Sequence, residues 1–296
     1  MTHNHVHHRG TEANLRTAFF LNLVFTLLEV VGGLMTNSVA ILSDAVHDLG
    51  DSLSLGLAWY LDRVAQRDKD QQFSYGYRRF SLLGAIISTV VLIIGSMFIM
   101  IEAIPRLFNP EPANAQGMIL FALLGVVVNG LAALRLREEK SLNARAIAWH
   151  LIEDVLGWVA VLVVSIVLLF TDLYILDPLL SILITIYILF NVLKNLKRTL
   201  AVFLQAVPEN VDVAAIDERL NEIEYVCSTH HTHVWSLDGE HHVLTSHIVV
   251  DEDVSKEQVV CIRKDVLELV RDLAISHSTI EIEFGDDDCG VMDGGM

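Results

Sequence analysis

Six apolar runs dominate the chain, near residues 15–36, 38–62, 80–103, 115–136, 146–170 and 178–200. A helix needs about 20 residues to cross the hydrocarbon core of a bilayer. In lipid every backbone polar group must be satisfied within the structure, so such runs fold as helices. Gly32-Gly33 and Thr36-Asn37 separate the first run from the second. Asn109-Pro110-Glu111-Pro112 separates the third from the fourth, and 172–178 the fifth from the sixth. The second run is the least hydrophobic, because it holds Asp44, His47, Asp48 and Asp51, and a hydropathy scan is expected to pass over it. A content of 53% hydrophobic residues agrees with a membrane protein that carries a soluble portion.

The loops give an orientation. Arg63, Arg67, Lys69, Arg78 and Arg79 lie between runs two and three, and Arg135, Arg137, Lys140 and Arg145 between four and five. Lys194, Lys197 and Arg198 end the sixth run, whereas the alternate loops carry only Arg106. The positive-inside rule then places both termini in the cytoplasm. The net charge of -17 arises from acids gathered in the last third, and it argues against a nucleic-acid partner. Cys227, Cys261 and Cys289 have no paired spacing, and the His-rich start (residues 1–14) has no apolar signal core, so a reducing compartment is expected.

After Pro208 the pattern changes to that of a small α+β domain. Residues 211–223 have helical spacing. Residues 226–237 and 242–250 alternate as strands around an Asp238-Gly239 turn. Ser255 with Gln258 forms a capping-box pattern ahead of a helix to about 273, and 278–284 reads as a last strand. The expected order is α-β-β-α-β over 205–285, with an acidic, Gly-rich disordered tail at 286–296.

The membrane runs hold two histidines, each four residues ahead of an aspartate: His47 with Asp51, and His150 with Asp154. Residues i and i+4 share a helix face. One such pair reads equally well as a helix-stabilising hydrogen bond. Two at identical spacing favour one shared site, because ionisable groups in a membrane are costly and mark ion or substrate paths. Two imidazoles and two carboxylates can close a tetrahedral site suited to zinc. Asp44, three residues before His47, and Glu153, three after His150, are candidates to orient the imidazoles from behind. Asp48 points about a third of a turn away. Asn22, Glu29 and Asn129 read as path-lining or interhelical bonding residues. His3, His5, His7 and His8 read either as zinc collectors or as a solvated tail. The chain has no His-Glu-x-x-His and no Walker A loop, so neither a zinc protease nor an ATP-driven pump is supported.

These residues resemble the cation diffusion facilitators of zinc-efflux type, a family of proton-coupled metal exporters. The resemblance spans residue 14 to about 284. Its carriers are Asn37-Ser38, Ser43-Asp44-Ala45 followed by His47 and Asp51, and Tyr75-Gly76-Tyr77-Arg78-Arg79. Further along they are Ser141-Leu142-Asn143 with Arg145, His150 with Asp154, Asp177-Pro178 with Ser181, His233-Val234-Trp235, and His277-Ser278-Thr279-Ile280. It implies an α-helical membrane protein with six transmembrane helices (15–204) and a cytoplasmic metallochaperone-like α+β domain, assembled as a homodimer in the bacterial inner membrane. His47, Asp51, His150 and Asp154 match the family's transport ligands. Zinc is the implied cargo, cadmium and cobalt can share the path, and protons are the counter-ion. In the cytoplasmic domain the resemblance implies regulatory zinc, with His233, His247 and His277 as ligands and Glu283 or Cys261 completing the set. Spans one, two, four and five are implied to rock against three and six. Two departures stand out: Ser81 occupies a position where the family often has Glu, and the loop at 135–145 is basic rather than His-rich. The rival reading is a membrane-anchored metal sensor or storage protein that binds without transport.

Overall fold

A computed structural model describes residues 5–137, 142–273 and 275–285. His3, Cys289 and the acidic tail at 286–296 lie outside the described residues. Six long helices come first: α1 (His5–Thr36), α2 (Val39–Ala65), α3 (Phe80–Phe108), α4 (Ala115–Arg137), α5 (Leu142–Phe170) and α6 (Leu176–Phe203). They match the six apolar runs, except that α1 starts ten residues before the run and takes in His5, His7 and His8. Five of the six are long and apolar enough to cross a membrane. The exception is α2, as its acidic content leads one to expect. At 27 residues it is nevertheless about 40 Å long, more than the hydrocarbon core requires.

Breaks in the membrane unit are set by local chemistry. Asn37 adopts a left-handed conformation (φ 51°), and Ser38 N donates to Gly33 O (3.0 Å) in a Schellman closure of α1. Ser38 then caps α2, accepting from Ile41 N (3.2 Å). Asp177 of α6 supplies the remaining acceptors: Ser38 Oγ donates to it at 2.5 Å and Val39 N at 2.7 Å. Ser181 donates to Val39 O, and Ser43 bonds to Thr185. The Asn-Ser and Asp-Pro sequences that open spans two and six are therefore the two halves of one α2–α6 fastening.

The chain divides into two compact units, 1–64 with 83–196, and 65–82 with 197–296. The second holds α7 (Val213–Asn221), β1 (Val226–Ser236), β2 (His242–Val250), α8 (Lys256–Asp272) and β3 (Ile275–Phe284). That is the expected α-β-β-α-β order. The three strands form one mixed sheet, with β2 central, antiparallel to β1 and parallel to β3. The capping box of Ser255 and Gln258 is formed. Asp238 accepts from the N–H groups of Glu240 and His241, and Gly239 takes φ 102° in the hairpin loop. β3 begins three residues earlier than alternation suggests, because Ile275 pairs with His242 and is buried in the domain core beside Ile262 and Val266.

Candidate functional site

In the membrane unit α2 and α5 bring both His-Asp pairs together. His150 Nε2 lies 2.7 Å from Asp51 Oδ2. His47 Nε2 lies 3.7 Å from the same oxygen and 3.9 Å from Asp154 Oδ1. His150 Nε2 is 4.0 Å from Asp154 Oδ2. The two imidazole rings sit 5.5 Å apart, nearly perpendicular. With metal–ligand bonds of about 2.0–2.2 Å, a tetrahedral zinc site has ligand–ligand separations of roughly 3.3 Å. The observed separations bracket that value. One ligand atom each from His47, Asp51 and His150 falls within 4.8 Å of the others. Asp154 is the outlying member and turns a different oxygen to each histidine. A cavity of about 360 Å³ between α2, α5 and α6 reaches His47 and Asp154 and is lined further by Asp44, Glu153 and Tyr187.

The surroundings differ from the sequence reading in one respect. Asp44 was expected to orient His47, but Nδ1 of His47 is buried without a hydrogen-bond partner. Asp44 lies instead at the cavity wall, with Oδ1 3.8 Å from where a Cβ on Gly157 would stand. Glu153 accepts from the hydroxyl of Tyr187 (3.4 Å) at the cavity mouth. Both carboxylates line the cavity that reaches His47 and Asp154.

The second unit holds another convergence of ligand types. His247 Nδ1 is 2.7 Å from Glu283 Oε1, and His230 Nε2 is 3.2 Å from Glu283 Oε2. The second contact lacks hydrogen-bond geometry, and His230 Nε2 remains a buried nitrogen with no hydrogen-bond partner. The rings of His230 and His231 both stand within about 5.3 Å of His247, centroid to centroid. An orphaned nitrogen beside a carboxylate and a second imidazole fits a metal ligand set. Of the residues expected there, His247 and Glu283 join the cluster. His233 is exposed and lines a different cavity, and His277 stacks edge-on against Tyr75. Cys261 is exposed on α8. His230 was missed because the strand is bulged. Two residues of β1, His231 and Thr232, oppose the single Ser246 of β2 between the pairs His230–His247 and His233–Thr245, and His231 takes φ 50°.

Comparison with known proteins gives two family matches. Residues 15–204 match the cation efflux transmembrane domain and 208–284 the cytoplasmic domain of cation efflux proteins. The chain is 35% identical to the zinc transporter ZitB of Pectobacterium atrosepticum, over 98% of this chain and 92% of that protein. It is 31% identical to a cadmium, cobalt and zinc/H(+)-K(+) antiporter of Bacillus velezensis (96% and 92% covered). It is 33% identical to the metal cation efflux system protein CzcD of Cupriavidus metallidurans (95% and 89% covered).

Proposed function

The chain belongs to the cation efflux family, the cation diffusion facilitators of zinc-efflux type, and from that membership we propose that it exports Zn²⁺ from the cytoplasm in exchange for protons. Family and relatives make it a multi-pass membrane protein of a family of metal cation efflux transporters. The observation that carries the finer reading is the meeting of His47, Asp51, His150 and Asp154 at tetrahedral spacing inside a membrane unit. Imidazole nitrogens with carboxylates suit zinc and, less tightly, cadmium and cobalt.

The four residues hold the cargo, and only their deprotonated forms bind it, so protons and metal compete for one site. An imidazole ordinarily titrates near about 6.5, so the cytoplasmic side favours loading and a more acidic exterior favours release. Asp44 and Glu153 offer negative charge along the cavity that leads to the ligands and draw a cation inward. The protein acts as a homodimer in the bacterial inner membrane with both termini cytoplasmic. His230, His247 and Glu283 form a regulatory zinc site in its cytoplasmic domain, and His231 adjoins it.

Zinc flux into sealed proteoliposomes under an imposed pH gradient tests this. Wild type is expected to move zinc along with the opposing proton gradient, and Asp154→Ala to fall to the level of empty vesicles. Zinc binding without flux in the wild type would move the reading to the membrane-anchored sensor. Flux that survives Asp154→Ala would place the path elsewhere.

A further inference from the structure

Glu29 lies near the middle of the apolar span of α1, Phe19–Thr36, and is 1% exposed. Neither of its carboxyl oxygens has a donor in hydrogen-bond geometry, and the one side chain within reach of sharing a proton with it is the Asp48 carboxyl. The donors nearest in the α1–α2 seam are already committed. Asn22 gives its amide protons to Asp48 O (3.1 Å) and Ser52 Oγ (3.0 Å), and the Thr26 hydroxyl donates to Asn22 O (2.9 Å). The charged groups that face Glu29 are carboxylates: Asp48 and Asp44 from α2, with Asp154 of α5 further off. Asp44 and Asp48 are each only 6% exposed. A bare carboxylate in a membrane interior, without donor or counter-cation and against two more carboxylates, is costly by several kcal/mol. Such a group must carry a cation. The smallest one, a proton, needs no ligand shell, and Glu29 has none to offer beyond neighbouring carboxylates.

We propose that Glu29 is a proton-carrying site separate from the metal ligands, loaded while the metal site is empty and discharged when a divalent ion enters it. Asp44 and Asp48 stand on the same stretch of α2 as His47 and Asp51. A double positive charge arriving there favours the ionised form of a nearby carboxyl. The proton leaves Glu29 as zinc arrives and returns as zinc departs, so one counter-transported proton per zinc comes from a residue that never touches the metal. The proposal rests on the transport reading above.

The test compares wild type with Glu29→Gln in the full-length protein, measuring protons released per zinc bound by calorimetry in buffers of different ionisation enthalpy, and zinc flux against pH gradient in proteoliposomes. The variant is expected to bind zinc with wild-type affinity, to release one proton fewer for each zinc, and to lose part of the gradient dependence of flux. An unchanged proton count with unchanged coupling overturns the proposal while leaving the transporter intact; a wild type that binds zinc but moves none overturns both. Flux in wild type that requires Na⁺ or K⁺, and loses that requirement in the variant, assigns the site to a monovalent cation and also overturns it. Should Glu29→Gln fail to fold, infrared difference spectra of ¹³C-glutamate-labelled wild type decide. Glu29 is the one fully buried glutamate among the described residues, so a glutamic-acid carbonyl band lost on adding zinc supports the assignment, and absence of that band sinks it.

Discussion

On the proposed reading, a single side-chain type at position 47 selects the cargo. His47 and His150 contribute the two nitrogens of a site whose other donors are carboxylate oxygens. Nitrogen donors favour zinc, and all-oxygen sets favour harder ions such as manganese. His47→Asp keeps a donor at the same place and changes its softness. We expect zinc flux to fall by at least about tenfold, the scale on which disturbed ligand shells lose affinity, and the manganese-to-zinc ratio to rise. Competition between the two ions in proteoliposomes measures this, and an unchanged ratio would move selectivity away from the imidazole. This site was legible in the sequence because its spacing is that of a regular helix: i and i+4 share a face in α2 and in α5 alike. The cytoplasmic cluster was only half legible. His247 and Glu283 sit on regularly paired strands, Val249 opposite Glu283 two positions along. His230 enters through a β-bulge, and strict alternation, which puts His231 and His233 on one face, holds no sign of the extra residue. Asp44 illustrates a related limit of spacing: it gives the face of a side chain but not the turn of the partner ring, and His47 Nδ1 is left without a hydrogen-bond partner.

Among the elements, α2 is the one whose position depends most on bonds outside itself. It is too polar for apolar burial alone to fix it in a bilayer, yet Val39, Ala40 and Ile41 at its start are fully buried. Its free N-terminal N–H groups therefore need acceptors where no water is present. Asp177 provides them from α6, and Arg106 of α3 anchors the preceding turn by donating to Asn37 O (3.2 Å) and Oδ1 (2.9 Å). Asp177→Ala leaves Ser38 Oγ, Val39 N and Ala40 N without their acceptor. The expected loss is about 2 kcal/mol or more, read as earlier thermal unfolding of the detergent-solubilised protein. Asp177→Asn, which keeps one acceptor oxygen, should lose less. If Asp177→Ala melts with the wild type, the fastening contributes nothing to stability. The existence and order of these helices were legible from apolar run length. The fastening was not, since its partners lie 138 and 139 residues apart, and no local pattern joins Asn-Ser to Asp-Pro.

For the whole molecule, the orientation that makes transport an efflux rests on charge. The loop between α2 and α3 carries four basic residues, Arg67, Lys69, Arg78 and Arg79, and it falls in the same compact unit as the C-terminal domain. There Tyr75 meets His277, and Arg78 lies 3.9 Å from Asp238. The basic loop and the domain are therefore on one side of the membrane. The opposite loops hold only Arg106, and that charge is answered by Glu102 (2.6 Å) and Glu111 (3.3 Å). Both features agree with the cytoplasmic placement proposed for the domain. Its two described cysteines, Cys227 and Cys261, are exposed and report on this directly. With Cys289 replaced by Ser, a membrane-impermeant maleimide is expected to label inverted vesicles and to leave right-side-out cells unlabelled. Labelling of intact cells would reverse the topology and turn the exporter into an importer. The labelling of Cys227 should also depend on its carboxylate neighbour. A hydrogen bond from Cys227 Sγ to Asp251 Oδ1 (3.4 Å), followed by slight burial and the carboxylate charge, holds that thiol's pKa above its ordinary value. The thiolate is the reactive form, so Cys227 stays protonated at neutral pH, and its labelling rises only as pH climbs through the raised value. Asp251→Asn removes the negative charge and should speed that reaction at neutral pH while leaving the sidedness of labelling as it was.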